Sequence, residues 1–330
     1  MKSSFGPLLL AALILLVPAH SAASTFSLDA PVLGYVFDQD TGELRRMDGF
    51  LGASSLGAPI DLGFPIMQAV VAPDQQSAIV QDDQGRMLLV NLAVTPPSAV
   101  ALEGAMAADR AMFSPSGRRA ALYSSATGRL QLLEVLNGSA RLGDEVDSLE
   151  SIGGWAGFAL SDSGTVLAAS MSEVGGALYM LKPDALPLRV SSIEGLGGLA
   201  FFSRSDDAVA ADAGANEVLL LRSGAGSWHA SPVATVNDFV ENPFAVQVTA
   251  DGRFVALAIA GGVTSIPLAG GVAQFTDCAC APRALAPLAG GNTFLLTDDT
   301  SSPLQVVEVG DSSRVLFVPA IPQEIEEISQ

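Results

Sequence analysis

The chain has 330 residues, of which 49% are hydrophobic and only 15% are charged, and its formal charge at pH 7 is −19. This acidity argues against binding to nucleic acid or to anionic lipid surfaces, because both require lysine and arginine on the protein. The high apolar content indicates strands that are buried on both faces, and the length fits two ordinary domains or one large β-architecture.

The first 23 residues have the features of a secretory signal peptide. Lys2 provides a short positive region, residues 5–17 form an apolar stretch too short to span a bilayer as a helix, and Ala23 lies at a small-residue cleavage site. We expect this peptide to be removed and the mature protein to be secreted or periplasmic; the alternative is retention as an anchor. No later segment is expected to span a membrane, because Gly, Pro or Asp interrupts every later apolar run.

A truncated unit, VLGYVFDQDTGELRRM, occupies residues 32–47. It contains candidates for the second and third strands of a small sheet but no clear first strand. Residues 44–63 form a Gly-rich segment without the strand–GxGxxG–helix context of a dinucleotide site, so we predict a loop crossing one face. Arg45 and Arg46, unusual in so acidic a chain, are predicted to form ion pairs within the protein, with anion binding as the alternative.

Six longer units then repeat one pattern of strand, short turn, apolar strand, second turn and third strand. The centres of the first turns are Asp, Ser or Gly, which tolerate the tight backbone of a hairpin, and they lie 39 to 47 residues apart. The units are residues 69–92, 111–135, 158–181, 199–222, 244–268 and 285–309, and the turn centres are Asp74, Ser116, Ser163, Asp206, Asp251 and Gly290.

A period of about 40–45 residues with about four strands per unit predicts a β-propeller, because each sheet has two apolar faces that only neighbouring sheets can cover. We predict an all-β fold with about seven four-stranded blades, within a range of six to eight, as one domain at residues 24–320. The strand in residues 314–320 either completes the last blade or reaches the first and closes the ring. Residues 321–330 are predicted to be an acidic, disordered tail.

The units resemble the broad superfamily of WD40-like and YVTN-type propeller repeats, and DAVAADAGANEVLLL at residues 207–221 is most similar to the YVTN type. The resemblance covers nearly the whole mature chain. It lacks two hallmarks, since neither Trp155 nor Trp228 is followed by Asp and the literal YVTN string does not occur. The chain thus resembles divergent secreted bacterial propellers, a group without a single activity, so the resemblance implies the fold and leaves the function open.

Residue types suited to catalysis are scarce. His229 is the only histidine outside the signal peptide, which argues against a Ser-His-Asp triad or a multi-histidine metal site, and we interpret it as structural. Acidic residues near the turns are interpreted as turn-forming and solubilising, with calcium binding as the alternative. We assign no catalytic or cofactor-binding residue, expect no cofactor and leave metal ligands open. The acidic residues are Asp38, Asp40, Asp82, Asp83, Asp206, Asp207, Asp298 and Asp299.

Cys278 and Cys280, in TDCACAPR, are the only cysteines and the sharpest local motif. Secretion would place them in an oxidising compartment, and a bent backbone can bring them within disulfide range. So small a loop gains little chain entropy, so a bridge would act by local rigidity. The alternatives are free or partner-linked thiols, or a soft-metal or redox site.

Three functions are compatible with these residues. The first is a secreted, non-enzymatic propeller that binds another protein, a ligand or an envelope component, and it predicts an apolar or aromatic patch on one ring face. The second is a metal-dependent hydrolase or lactonase, which predicts several carboxylates converging on the central channel. The third is a redox or metal-handling role for Cys278 and Cys280. We favour the first.

Overall fold

A computed structural model describes residues 30–146, 155–183, 185–224 and 227–321. These residues form a β-propeller of seven antiparallel blades, with one short 3-10 helix at Val236–Asp238. The predicted signal peptide and nearly all of the predicted tail lie outside the described residues. In the part of the chain that the structure describes, no helix has the length and apolar character needed to cross a bilayer.

The strands of the first four blades follow one another in chain order. Blade 1 contains β1 (Val32–Asp38), β2 (Glu43–Phe50) and β3 (Ala53–Pro59); blade 2 contains β4 (Ile66–Val71), β5 (Ser77–Asp82), β6 (Met87–Asn91) and β7 (Ser98–Ala101). Blade 3 contains β8 (Arg110–Phe113), β9 (Arg119–Ser124), β10 (Arg129–Leu136) and β11 (Ser139–Val146); blade 4 contains β12 (Trp155–Leu160), β13 (Val166–Ser172), β14 (Gly175–Leu181) and β15 (Leu188–Ile193).

The last three blades repeat this order, and in blades 2–7 the first strand lines the central channel. Blade 5 contains β16 (Leu196–Phe201), β17 (Ala208–Asp212), β18 (Glu217–Ser223) and β19 (Trp228–Ala234). Blade 6 contains β20 (Ala245–Val248), β21 (Phe254–Ile259), β22 (Gly262–Pro267) and β23 (Gln274–Asp277). Blade 7 contains β24 (Ala286–Pro287), β25 (Thr293–Leu295), β26 (Leu304–Glu308) and β27 (Arg314–Val318).

The second strand of each blade explains the high apolar content. Successive side chains of a strand point to opposite faces of the sheet. In β21, Val255 and Leu257 enter the core shared with blade 5, whereas Ala256 and Ala258 enter the core shared with blade 7. All four are fully buried. Both faces of the strand therefore require apolar side chains, and small ones fit where neighbouring blades approach closely.

The first blade contains the second and third strands that the sequence predicts, but the predicted loop at residues 44–63 is wrong. Most of that segment forms β2 and β3, because β3 pairs with β2 as the outermost strand of the blade. The hydrogen bond from the Gly49 N–H to the Pro31 carbonyl corresponds to the one from Leu92 to Gln76 in blade 2, where it joins the end of the third strand to the start of the second. By this correspondence β1, β2 and β3 are a second, third and fourth strand. The described residues contribute no first strand to this blade, so β1 itself faces the channel.

The ring closes between blades 7 and 1 through packing and hydrogen bonds. β27 pairs with β26 and completes the last blade, which decides between the two predicted places for residues 314–320. Leu33, Val36 and Met47 pack against Leu288 and other residues of blade 7.

Hydrogen bonds reinforce this seam. The buried side chain of Gln75 accepts from the Tyr35 N–H at 3.1 Å and donates to the Pro287 carbonyl at 2.8 Å. On the same seam, Asp38 accepts from the N–H and hydroxyl of Thr300 at 2.9 and 2.5 Å. Blade 2 therefore helps to join blade 1 to blade 7.

Candidate functional site

The central channel is a cavity of about 560 Å³ lined by residues of all seven blades. Apolar atoms form most of its wall, and partly exposed apolar residues contribute to it at Val70, Val71, Met112 and Val248. The channel opens on two faces that the topology distinguishes. The turn face carries the turns between first and second strands, at residues 72–76, 114–118, 161–165, 202–207, 249–253 and 288–292. The connector face carries the links between blades, described at residues 60–65, 102–109, 194–195, 235–244 and 278–285.

On the turn face, four of the six predicted turn centres bind residues of neighbouring blades: Ser116, Ser163, Asp206 and Asp251. Asp162 of blade 4 accepts from the N–H and hydroxyl of Ser116 in blade 3, at 2.9 and 2.6 Å, and from the N–H of Arg204 in blade 5 at 3.1 Å. Burial acts to raise the pKa of Asp162, but these hydrogen bonds together outweigh it and hold the pKa below its ordinary value. The carboxylate is therefore ionised and engaged in structure.

The same arrangement recurs around the turn face. Asp206 accepts from the hydroxyl of Ser163 in the preceding blade at 2.6 Å. Asp251 accepts from Thr249 in its own turn and from the Asn292 amide of blade 7, at 2.6 and 3.3 Å. We call these contacts the blade latches. They agree with the interpretation of the turn carboxylates as structural groups.

The other acidic residues that the sequence analysis placed near turns lie mostly in loops between second and third strands. Asp82 accepts backbone N–H groups of its own loop and pairs with Arg86, and Asp299 accepts from Ser301 and Ser302. Among the described residues, the carboxylates of the channel wall are Asp74 and Asp298, at opposite ends. The described residues contain no group of three or more His, Cys, Asp or Glu side chains placed to hold a metal. The several carboxylates that the hydrolase hypothesis predicts at the channel do not converge there.

At the connector face, Arg283 is the one cationic side chain among the described residues that line the channel. Its Nη1 lies 3.2 Å from a carboxylate oxygen of Asp298, and its side chain is 60% exposed. Its backbone N–H donates to the Leu296 carbonyl at 2.8 Å, which fixes the connector against the second strand of blade 7. The guanidinium is thus held at the channel mouth in contact with solvent.

Connector 235–244, TVNDFVENPF, joins blades 5 and 6 on this face and presents apolar side chains to solvent. Val236 is 61% exposed, Phe239 51% and Phe244 43%. Phe239 has φ of +58°, a left-handed conformation that is unfavourable for a bulky side chain. Its carbonyl accepts from the Thr264 hydroxyl at 2.9 Å, so the contact with blade 6 holds this conformation. Asp238 and Glu241 give the connector negative charge.

Cys278 and Cys280 begin the next connector and are joined by a disulfide, with their Cα atoms 5.1 Å apart. Ala279 between them has φ of +50°. The buried Cys278 packs in the core between blades 6 and 7, and its N–H donates to the Gly261 carbonyl at 3.0 Å. This bridge lies just before the first strand of blade 7, where the connector crosses the ring face.

The other residues that the sequence analysis singled out make contacts within the protein that fit structural roles. His229 lies exposed on the outermost strand of blade 5, with Ser227 as its neighbour at 3.4 Å. Arg45 pairs with Glu43 and Arg46 with Asp48, as predicted. Trp155 is buried and stacks on Tyr123 with ring centroids 5.2 Å apart.

Sequence reasoning missed Gln75, Arg283 and Phe239. Arg283 ends the motif TDCACAPR and Gln75 follows the turn centre Asp74, but neither position indicates a role, because the seam around Gln75 and the channel around Arg283 are formed by parts of the chain that are distant in sequence. A signal for Phe239 did exist, since two phenylalanines and two acids in a polar stretch between repeats are unusual for a plain linker.

Similarity to known proteins is confined to the fold. No protein-family profile matches the chain, and no curated protein matches its sequence. A functionally unknown protein from Desulfotomaculum acetoxidans is 14% identical, with a TM-score of 0.61 over 88% of this chain and 100% of its own. Apo AztD from Citrobacter koseri is 11% identical, with a TM-score of 0.60 over 89% and 84%. A protein provisionally assigned as a 6-phosphogluconolactonase, from Bacteroides fragilis, is 13% identical, with a TM-score of 0.57 over 87% and 94%.

Proposed function

We propose that this chain is a secreted, non-enzymatic propeller that binds a protein partner through connector 235–244. The observation that carries the proposal is Phe239, an exposed aromatic side chain held in a left-handed backbone conformation. This conformation ends the 3-10 helix at Val236–Asp238, as is common at a helix terminus, and it leaves the Phe239 ring exposed on the connector. Aromatic side chains are also enriched at the centres of protein interfaces.

The charges around Phe239 define the chemistry of the partner. Asp238 and Glu241 flank it, and connector 235–244 contains no lysine or arginine. We therefore expect an apolar surface flanked by lysine or arginine, because complementary charges favour encounter and correct orientation. Nucleic acid is not expected as a partner, since the formal charge of the protein is −19.

Site-specific photo-cross-linking in the native source tests this proposal. A cross-linking residue at position 239 is expected to capture one partner, and the same residue at position 317 is expected to capture none. Phe317 is the matched control, because it is 55% exposed on the outermost strand of blade 7. The purified partner should then bind at least about tenfold more weakly to Phe239→Ser than to Phe317→Ser, since an interface aromatic contributes about 2 kcal/mol or more. Equal affinities for the two variants would contradict the proposal.

A metal-dependent hydrolase or lactonase is the second candidate function. Its support is a likeness in fold to a provisionally assigned lactonase, together with one carboxylate, Asp298, at the connector mouth of the channel. Elemental analysis of the natively purified protein, with an assay of lactone opening, tests it. Near-stoichiometric metal and metal-dependent opening, both lost in Asp298→Asn, would favour this candidate over partner binding.

The proposed function has three further parts, which concern secretion, the origin of the chain and its two cysteines. We propose that residues 1–23 are a cleaved signal peptide, that the propeller is a divergent bacterial one of the WD40-like or YVTN type, and that Cys278–Cys280 is a structural disulfide in the native protein. Mass spectrometry of the secreted chain tests cleavage near Ala23, and thiol titration under denaturing conditions tests the disulfide. A chain that retains residues 1–23, or one with two titratable thiols, would contradict the corresponding part.

A further inference from the structure

We propose that the central channel binds an elongated apolar molecule with one anionic end group, of the class of fatty acids. This site is separate from connector 235–244, and the inference holds or fails independently of partner binding there.

The volume of the channel and its mostly apolar wall indicate that most of the ligand is apolar. A volume of about 560 Å³ lies within the range of roughly 300–1,000 Å³ that is usual for small-molecule sites. Apolar atoms form most of the wall, and partly exposed apolar residues contribute to it at Val70, Val71, Met112 and Val248. A slender hydrocarbon chain fits such a space, because it gains apolar contact without leaving polar groups of its own unpaired.

The two ends of the channel differ in charge and set the polarity of binding. Arg283 and its partner Asp298 lie at the connector face, whereas Asp74 lies at the turn face. An anionic group can form charge-assisted hydrogen bonds with the guanidinium at the connector face, whereas at the turn face it meets the like charge of Asp74. The carboxylate of the ligand is therefore expected at the connector face, with the hydrocarbon chain directed toward the turn face.

Arg283 is suited to hold a carboxylate. Its contact with Asp298 uses only Nη1, at 3.2 Å. An exposed pair of this kind is weak, and a guanidinium presents its donors in a fork that matches a carboxylate. A ligand carboxylate can therefore bind the remaining donors while Asp298 stays in contact. The mouth remains accessible to solvent, so the end group is not stripped of all its water.

Calorimetric titration of the full chain with dodecanoate, dodecanol and dodecyltrimethylammonium tests the inference. We expect dodecanoate to bind with one site per chain and dodecanol at least about tenfold more weakly, as for loss of a charge-assisted hydrogen bond. Arg283→Gln should weaken dodecanoate binding by a similar factor and leave dodecanol binding unchanged. Arg253→Gln is the matched control, because Arg253 is equally exposed and pairs with Asp311 away from the channel wall. Gln247→Trp, which fills the channel from a partly exposed wall position, should abolish binding of both.

Several outcomes would overturn the inference. Dodecanoate that binds equally to Gln247→Trp occupies another surface. Equal affinity for dodecanoate and dodecanol, or tighter binding of the cationic analogue, would show that Arg283 does not select the end group. Absence of heat and of competition with a fluorescent fatty acid would show that the channel takes no such ligand. Circular dichroism of each variant excludes misfolding as the cause of lost binding.

Discussion

The two faces of the ring use their polar groups differently. On the turn face, carboxylates and hydroxyls bind one another across blade boundaries, as Asp162 binds Ser116 and Arg204. On the connector face, Arg283 makes one exposed contact, and the side chains of Val236 and Phe239 contact solvent. Cross-blade bonds of turn residues recur around the turn face, while the connector face combines structural bonds, such as that of Thr264 with the Phe239 carbonyl, with exposed groups that stability does not explain. Mutations on the two faces should therefore have separable effects.

The largest effect is expected at the seam. Gln75→Ala removes a buried carboxamide that contacts the Tyr35 N–H and the Pro287 carbonyl, and an unsatisfied buried group costs about 1–3 kcal/mol. We expect a loss of about 3 kcal/mol in the free energy of unfolding, measured by urea denaturation. Its exposed neighbour Gln76 provides the control, and Gln76→Ala should change stability by less than about 0.5 kcal/mol. An equal loss of unfolding free energy in the two variants would show that the Gln75 side chain does not stabilise ring closure.

A graded series on the turn face should follow the number of partners in each latch. Asp162→Ala is expected to cost about 2 kcal/mol, because two backbone N–H groups and a hydroxyl lose their acceptor. Asp206→Ala, which frees only hydroxyls, should cost about 1 kcal/mol. Asp74 accepts from the Gln76 N–H of its own turn and from no other group in the part of the chain that the structure describes, so Asp74→Ala should cost less than about 0.5 kcal/mol. Any other order of midpoints in urea would show that the latches do not control stability.

Acid should weaken the turn face, where hydrogen bonds favour the ionised form of the carboxylates. Hydrogen bonds lower the pKa values of Asp162 and Asp251 despite the opposing effect of burial. A carboxyl with a lowered pKa in the folded state contributes stability that is complete above its unfolded value, about 3.9, and is lost as the pH falls through the folded value. Stability should therefore be nearly constant from about pH 7 to pH 5 and fall below about pH 4. In Asp162→Asn the fall should be shallower, and an unchanged slope would contradict the assignment.

The smallest effect on stability is expected at the connector face. Arg283→Gln removes an exposed ion pair, so the free energy of unfolding should change by less than about 0.5 kcal/mol. Thermal denaturation beside the Arg253→Gln variant measures this directly. A loss of stability as large as that of Asp162→Ala would show that Arg283 stabilises the ring, which would contradict the contrast between the two faces.

Much of the fold could be predicted because the strands and turns of each repeat depend on residues that are adjacent in sequence. The turn centres Ser116 and Ser163 lie in turns that close with a glycine of positive φ, Gly117 and Gly164, and such turns are visible in the sequence. The partners of those turns are not, because Asp162 lies 46 residues from Ser116. The channel and its charged mouth were also invisible, because residues such as Arg283 and Val36 meet only when the ring is formed.

Ring closure also has a consequence for the order of folding. Each blade is built from a continuous stretch of chain, so its strand pairs form between residues close in sequence. The seam contacts are the exception, since Gln75 and Pro287 are separated by 212 residues and Asp38 and Thr300 by 262. Contacts of such long range are slow to form, because the chain entropy of a large loop must be lost first. The seam should therefore form last and open first, so that native-state hydrogen exchange would begin beside blade 1.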